Sequence, residues 1–189
     1  MNKLAIYEKV RPMIQPGDVI SFKGSGFISW LILRIDKRSH VASVSSGSTN
    51  PLVAERKLII EADEGEVNTR ALSVKLSEYN GEAYWHRLKP ELQMYRNAID
   101  AFLWEHIGVH YDYGSLFANA LGRVSTNADR WFCSEYCGAS FKETIPEDVL
   151  KRYLPEDSKG FLRMLLAGTA LRPGGVARLP IWQPEVKLI

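Results

Sequence analysis

The order of predicted secondary structure in this chain of 189 residues indicates an α+β fold, with strands first and helices after them. Short runs rich in β-branched and aromatic residues, bounded by turn residues, recur between positions 19 and 88. The longer runs of apolar residues at helical spacing begin after Pro90. Because the connections between the runs have hairpin length, we expect a small antiparallel sheet or partial barrel packed against helices.

The first half is predicted to open with a short amphipathic helix over residues 4–10, which Pro12 ends. A turn at residues 15–18 leads into the first strand. Segment 27–35 is apolar, and its length leaves both helix and strand open. The predicted strands cover residues 19–22, 41–44 with His40 at the start, 56–62 and 83–88, and a turn at residues 65–67 leads into a further strand that ends near Ala71.

The second half is predicted to be helical. Pro90 suits a helix start, Gly108 ends that helix, and a shorter helix is expected near residues 115–121. A further helix runs from about Trp131 to Thr144, before Pro146. In the remaining residues, a helix over 161–171 and a turn at 172–175 are expected. We interpret residues 1–189 as a single domain.

Composition limits the classes of function and partner. The formal net charge is +2, from 24 basic and 22 acidic residues, and no long basic cluster is present, so a nucleic-acid partner is not expected. The longest apolar stretch, residues 27–33, is too short to cross a bilayer. The amino-terminal residues lack an apolar run of signal-peptide length, and the two cysteines form no disulfide scaffold, so a cytoplasmic location is expected.

Cys133 is the residue with the clearest chemical potential. It lies in the first turn of a predicted helix, where unpaired N–H groups and the helix dipole favour a thiolate. His40 at one strand start and Glu61 at the end of the next can share one face of the sheet. A helix packed on that face would aim the thiol of Cys133 at the imidazole. The three residues can then act as nucleophile, base and orienting acid.

Several nearby residues have simpler interpretations. Cys137 lies one turn further along the helix and is expected to face the core. Asp63 shares a strand face with Glu61, so a shifted register would give it the acidic role. His106 and His110 have metal-like spacing, but Gly108 between them and the lack of a third ligand argue against zinc. No metal and no cofactor are therefore expected.

Five short segments occur in an order that resembles the circularly permuted papain-like hydrolases of the NlpC clan. They are Pro16-Gly17-Asp18-Val19-Ile20, Ser39-His40-Val41, Ile60-Glu61-Ala62, Tyr111-Asp112 and Phe132-Cys133-Ser134-Glu135. In this group, which includes the YiiX-like proteins and, more distantly, lecithin:retinol acyltransferase, the cysteine follows the histidine. The match covers about residues 15–145.

The resemblance implies a papain-like fold of the permuted NlpC type. It also implies Cys133 as nucleophile, His40 as base and Glu61 as the orienting residue, with Tyr111 near the cleft. Trp131 adjoins the nucleophile, and we expect it to line a substrate groove.

The expected function is a cysteine hydrolase that cleaves a peptide or amino-acyl amide, possibly a cell-wall peptide, through an acyl-enzyme. An alternative is a lipid acyl hydrolase or acyltransferase with the same triad, with apolar segments 27–35 and 161–166 forming the entrance. A third possibility is a ligand-binding module without turnover. The expected partner is thus a small peptide or an acyl-bearing substrate.

Overall fold

Six strands form one antiparallel sheet in the computed structural model, which describes residues 2–25, 34, 36–46, 56–63, 66–108 and 133–189. The spatial order of the strands is β4-β3-β2-β1-β5-β6. Their bounds are β1 Val19–Gly24, β2 His40–Ser45, β3 Leu58–Asp63, β4 Glu66–Ala71, β5 Gly81–His86 and β6 Val186–Lys187. The α+β class and the antiparallel sheet are confirmed, and the sheet is open.

Seven α-helices lie in the same described part of the chain. They are α1 Ala5–Val10, α2 Leu72–Glu78, α3 Arg96–Glu105, α4 Cys133–Thr144, α5 Glu147–Lys151, α6 Phe161–Leu166 and α7 Pro173–Val176. Short 3₁₀ turns cover Arg11–Met13, Pro90–Tyr95 and Leu154–Glu156. Segment 27–35, except residue 34, and the helix expected near 115–121 lie outside the described residues.

Several elements differ from the sequence-based expectation. Helix α2 was not predicted, because its seven residues lie between two strands and are too few to show a helical period. The segment after Pro90 is first a 3₁₀ turn and becomes α-helical only at Arg96. The turn expected at residues 172–175 is instead the start of the one-turn helix α7, with Pro173 at its first position.

Helices cover both faces of the sheet, because alternate strand residues point to opposite sides. On β1, Ile20 and Phe22 join the core cluster that includes α1 and α2 residues. Val19 joins the other cluster, which contains residues of α3, α4 and α6. The molecule therefore has two apolar layers separated by the sheet.

The Pro-Gly-Asp segment before β1 has a structural role. The fully buried carboxylate of Asp18 accepts hydrogen bonds from Trp85 Nε1 at 2.8 Å, from the Leu88 N–H at 3.1 Å and from Arg96 Nη1 at 2.8 Å. Gly17 precedes it with a φ of 80°, which favours glycine. This carboxylate ties the start of β1 to β5 and to helix α3.

Residues after position 146 pack on the same sheet and core. Strand β6 pairs with β5, and the side chains of Leu162 and Trp182 belong to the core cluster that contains α4. Asp36 accepts a hydrogen bond from the Gly174 N–H at 2.7 Å, and a Cβ at position 174 would meet that carboxylate. The single-domain interpretation itself stays a prediction. Among the described residues, no helix has the length and apolarity needed to cross a membrane.

Candidate active site

Cys133 is the first residue of helix α4, and its side chain is almost buried, at 4% exposure. Helix α4 packs against β2, and the Ser43 hydroxyl donates a hydrogen bond to Cys137 Sγ at 3.1 Å. That contact fixes the helix along the strand. Because Cys133 lies one turn earlier, it is directed toward the end of β2 at which His40 begins the strand.

The imidazole of His40 is bound on one side by Glu61. The distance from Nε2 to the Glu61 carboxylate Oε2 is 2.6 Å. The Glu61 side chain is 1% exposed and the His40 side chain 16% exposed. A carboxylate here accepts Nε2–H and leaves Nδ1 as the ring nitrogen available to a thiol.

Cys133 supplies the second contact to the imidazole. Burial alone would lower the pKa of His40, but the charge of Cys133 and its hydrogen bond to the ring, with those of Glu61, raise it from 6.5 to about 10. Burial alone would raise the pKa of Glu61, but His40 and then Lys75 lower it from 4.5 to about 2. The arrangement therefore favours a protonated imidazole at His40 beside an ionised Glu61.

The face of the sheet from which Cys133 approaches the His40 ring differs from the expectation. His40 and Glu61 share a sheet face with Phe22, whose ring centroid lies 5.7 Å from that of His40. Helix α4 packs on the opposite face, where Cys133 contacts the cluster that contains Val41. The expectation of a cysteine helix on the same face was wrong. Because His40 is the first residue of its strand, its ring is accessible from both sides.

Cys137 occupies a different environment although it lies on the same helix. It is fully buried, and burial raises its pKa far above that of an ordinary thiol, against the smaller lowering effect of the Ser43 hydrogen bond. No imidazole contributes to this pKa. Cys137 is therefore a core residue, as its spacing from Cys133 indicated.

Lys75 of helix α2 is a site residue that sequence reasoning missed. Its Nζ lies 2.9 Å from Glu61 Oε1, the carboxylate oxygen that His40 does not use. The lysine side chain is 9% exposed. The apolar pair Leu72 and Leu76 at i,i+4 spacing is the only local signal for the helix that carries it.

A second buried histidine, His86, lies at the end of β5. Its Nε2 is 2.7 Å from Ser21 Oγ, which also accepts a hydrogen bond from Arg38 Nε at 2.9 Å. The Ser21 oxygen accepts from the arginine, and the direction of its hydrogen bond with His86 Nε2 depends on the tautomer of the ring. Burial, and next the charge of Arg38, lower the pKa of His86 to about 3.

The two expected substrate-binding residues, Tyr111 and Trp131, lie outside the described residues, as does His110. The side chain of Asp63, the alternative acid, also lies outside them. His106 binds the Phe102 carbonyl through Nδ1 at 2.8 Å, a local contact within its own helix end. The triad residues are thus the predicted site residues that the structure brings together.

The fold of the described residues has a counterpart among solved structures. It is similar to the crystal structure of the metalloprotein YiiX from Escherichia coli O157:H7, with 17% identity, a TM-score of 0.63 and coverage of 91% of this chain and 96% of that one. The chain therefore has the permuted papain-like, NlpC/P60-related fold that the sequence predicted. No protein-family model and no curated protein matches the sequence. At this identity the likeness shows the fold alone.

Since the similar structure is that of a metalloprotein, the question arises whether the described residues of this chain could bind a metal ion. They contain no group of three or more histidine, cysteine, aspartate and glutamate side chains that could hold a metal ion. Two of the residues with ligand chemistry, His40 and Glu61, already bind each other. The described residues do not fit a metal site.

Proposed function

We propose that the protein is a cysteine hydrolase that cleaves an amide bond through an acyl-enzyme. The observation that carries the proposal is the imidazole of His40, whose Nε2 lies 2.6 Å from Glu61 Oε2 and which lies close enough to Cys133 for the charge of that residue to raise the pKa of the ring. This is the order of nucleophile, base and orienting acid that covalent hydrolysis of a carbonyl requires.

In the first half-reaction, the Cys133 thiolate attacks the carbonyl carbon and forms a C–S bond while the carbonyl π electrons move to oxygen. The backbone N–H of Cys133, at the helix start, is positioned to donate to that oxyanion. When the intermediate collapses, the C–N bond breaks. The His40 imidazolium gives its Nδ1 proton to the leaving amine.

In the second half-reaction, His40 takes a proton from water as the water oxygen attacks the thioester. The C–S bond then breaks and the acid product leaves. Cys133 is released as a thiolate while His40 keeps the proton taken from water, which restores the thiolate–imidazolium pair. Glu61 accepts Nε2–H throughout and holds the ring in one orientation. None of these steps requires a metal ion.

The substrate class we propose is a short peptide or amino-acyl amide, and cell-wall peptides are one example. Of the two segments considered for an apolar entrance, residues 161–166 form helix α6, in which Leu162 and Leu165 are buried in the core. Their side chains stabilise the fold and are not available to an acyl chain. These two leucines therefore cannot contribute to the apolar entrance that the lipid alternative requires.

The test combines a substrate panel with intact-protein mass spectrometry. Purified protein is incubated with short peptides, amino-acyl amides and long-chain acyl esters, and the acyl adduct is mapped. We expect amide hydrolysis, an adduct on Cys133, and loss of both in Cys133→Ala, whereas Cys137→Ala keeps them. Turnover of acyl esters alone would support the lipid alternative. Binding of a panel member by wild-type protein without turnover or adduct would support a binding module.

A further inference from the structure

Lys75 extends the three-residue centre by a fourth charged group. Each oxygen of the Glu61 carboxylate contacts a different basic side chain: Oε2 lies 2.6 Å from His40 Nε2, and Oε1 lies 2.9 Å from Lys75 Nζ. We propose that Lys75 is a positioning residue of the catalytic centre, which acts through Glu61 to control the ionisation of Cys133 and His40. This inference rests on the proposed function.

The charges explain why an ammonium group is needed. The carboxylate of Glu61 is 1% exposed, and a buried anion is costly unless it is paired and hydrogen-bonded. With Lys75, thiolate, imidazolium, carboxylate and ammonium sum to zero. Without Lys75 the same cluster carries one net negative charge inside the protein. Proton transfer from Cys133 to His40 preserves the sum in both cases, so the ammonium specifically compensates Glu61.

The groups around this carboxylate come from four elements. His40 approaches from β2 and Lys75 from α2, while Asn68 lies opposite Glu61 on β4. Cys137 of α4 is also close enough for its pKa to be raised by Glu61.

Arg70 lies two residues after Asn68 on β4 and therefore on the same face of that strand. Arg70 is paired with Glu78 of α2, and both side chains are exposed. It is therefore screened by water, whereas the Lys75 ammonium is not.

Loss of the ammonium would change the site in two ways. The pKa of Glu61 would rise, because an adjacent opposite charge typically lowers a carboxyl pKa by about one to three units. Once Glu61 is protonated, His40 lacks an anionic acceptor for Nε2–H, and its Nδ1 is no longer reserved for the thiol. In a serine-protease triad, a wrong tautomer costs about 10⁴-fold in kcat.

A purely structural role for Lys75 makes a different prediction. The lysine could anchor α2 to β3 without affecting the thiol. Its replacement would then lower the thermal midpoint and leave the pH dependence of Cys133 reactivity unchanged. The two roles are separated by a profile of reactivity against pH, measured on protein shown to be folded by circular dichroism.

The experiment measures the iodoacetamide alkylation rate of Cys133 by peptide mass spectrometry from about pH 4 to about pH 9, a range that spans ordinary carboxyl, imidazole and thiol pKa values. In Lys75→Met, we expect the acid limb to move upward by about one pH unit or more. Lys75→Arg keeps the charge and should keep the limb. Arg70→Met is the matched control, since it removes an exposed cation from the neighbouring strand, and should also keep it.

A double variant tests whether Lys75 acts through Glu61. In a Glu61→Gln background, Lys75→Met should add little further shift to the acid limb. The double variant removes both members of the buried ion pair together, a change that proteins often tolerate. Folded Lys75→Met with a wild-type acid limb would overturn the inference. The inference would also be overturned if Lys75→Met shifted the acid limb by as much in the Glu61→Gln background as in the wild-type background.

A measurement on wild-type protein covers the case in which Lys75→Met does not fold. Carbon-13 NMR of the Glu61 carboxyl should show no protonation down to about pH 3, well below the ordinary glutamate pKa. Protonation near the ordinary value would overturn the inference. Failure of the proposed function looks different: Cys133 of the wild-type protein would then react no faster than a model thiol near neutral pH.

Discussion

His40 and His86 lie on strands of the same sheet and are both largely buried, yet their charge states are opposite. His40 lies between a carboxylate and a thiol, and its pKa is raised to about 10. His86 lies beside a serine hydroxyl and an arginine, and its pKa is lowered to about 3. Burial acts in the same direction on both rings, because it disfavours the charged form. The difference therefore comes from the partners.

The comparison separates a reactive polar cluster from a structural one. The cluster around His40 contains the proposed nucleophile, Cys133, whose proton the ring can hold. In the cluster around His86, Arg38 also contacts Glu185 at 2.9 Å and lies 4.0 Å from the centre of the Tyr84 ring. These contacts connect β1, β5 and the segment before β6. We infer that His86 stabilises the packing of the sheet edge and takes no part in catalysis.

The largest expected effect is on thiol reactivity when each histidine is replaced. His40→Ala should lower Cys133 alkylation near neutral pH by about 10²-fold or more, because the thiolate loses its imidazolium partner. His86→Ala should leave the rate within about twofold, while lowering the thermal midpoint. Rates come from mass spectrometry of the labelled peptide. Equal losses in the two folded variants would contradict the separation of the clusters.

The pH dependence of stability should have opposite slopes for the two rings. For His40 taken by itself, the folded protein holds a proton between pH 6.5 and about 10 that the unfolded chain has lost, so the contribution of this ring to stability falls as pH rises through this window. For His86, the unfolded chain binds a proton between about 3 and 6.5 that the folded protein does not, so stability rises with pH there.

Urea unfolding at a series of pH values measures both slopes. His40→Gln should flatten the alkaline side, and His86→Gln should flatten the acid side above the range in which Glu61 titrates. Glu61 adds its own rise between about 2 and 4.5, because its folded pKa is depressed. An alkaline slope that survives in His40→Gln would show that another group produces it.

A smaller effect is expected when Ser21 is replaced. Ser21→Ala leaves His86 Nε2 and Arg38 Nε without their shared partner, which should cost about 1–3 kcal/mol in the free energy of unfolding. The alkylation rate of Cys133 should not change. The expected loss is measured by urea unfolding near pH 7. A marked fall in Cys133 reactivity would link the two clusters and weaken the comparison.

The smallest effect is expected at Cys137. Cys137→Ala removes one buried sulfur and the acceptor of the Ser43 hydroxyl. We expect a loss of about 1–2 kcal/mol in stability and no change in the pH profile of Cys133 alkylation. A shift of that profile would mean that the second thiol takes part in the ionisation of the first.

The sequence was most informative where a local strand or helix pattern contains a residue with catalytic chemistry. Strand patterns located His40 and Glu61, and a cysteine before a helical run located the start of α4. The face from which Cys133 approaches was not predictable, because it depends on how far a ring reaches around the first residue of a strand. Lys75 was missed for a similar reason. Its helix is short, and the burial of a lysine depends on a partner fourteen positions away.

The carboxyl-terminal part shows a further limit of prediction from sequence. Strand β6 has only two residues, and its pairing with β5 is a contact across about a hundred positions of chain. No local pattern specifies such a pair. Helix α7 depends on Asp36, whose carboxylate accepts the Gly174 N–H from a distant segment. Both features follow from tertiary contacts and not from propensity.

The central claim is that Cys133 and His40 form a reactive thiolate–imidazolium pair, and the two cysteines of α4 allow its most direct test. Folded wild-type protein is treated with a limiting amount of iodoacetamide near pH 7, and the labelled fractions of Cys133 and Cys137 are measured in one peptide map. We expect Cys133 to react at least about tenfold faster than a free model thiol, whose pKa is about 8.5, and Cys137 to stay unlabelled. Equal labelling, or a Cys133 no faster than the model thiol, would contradict the account.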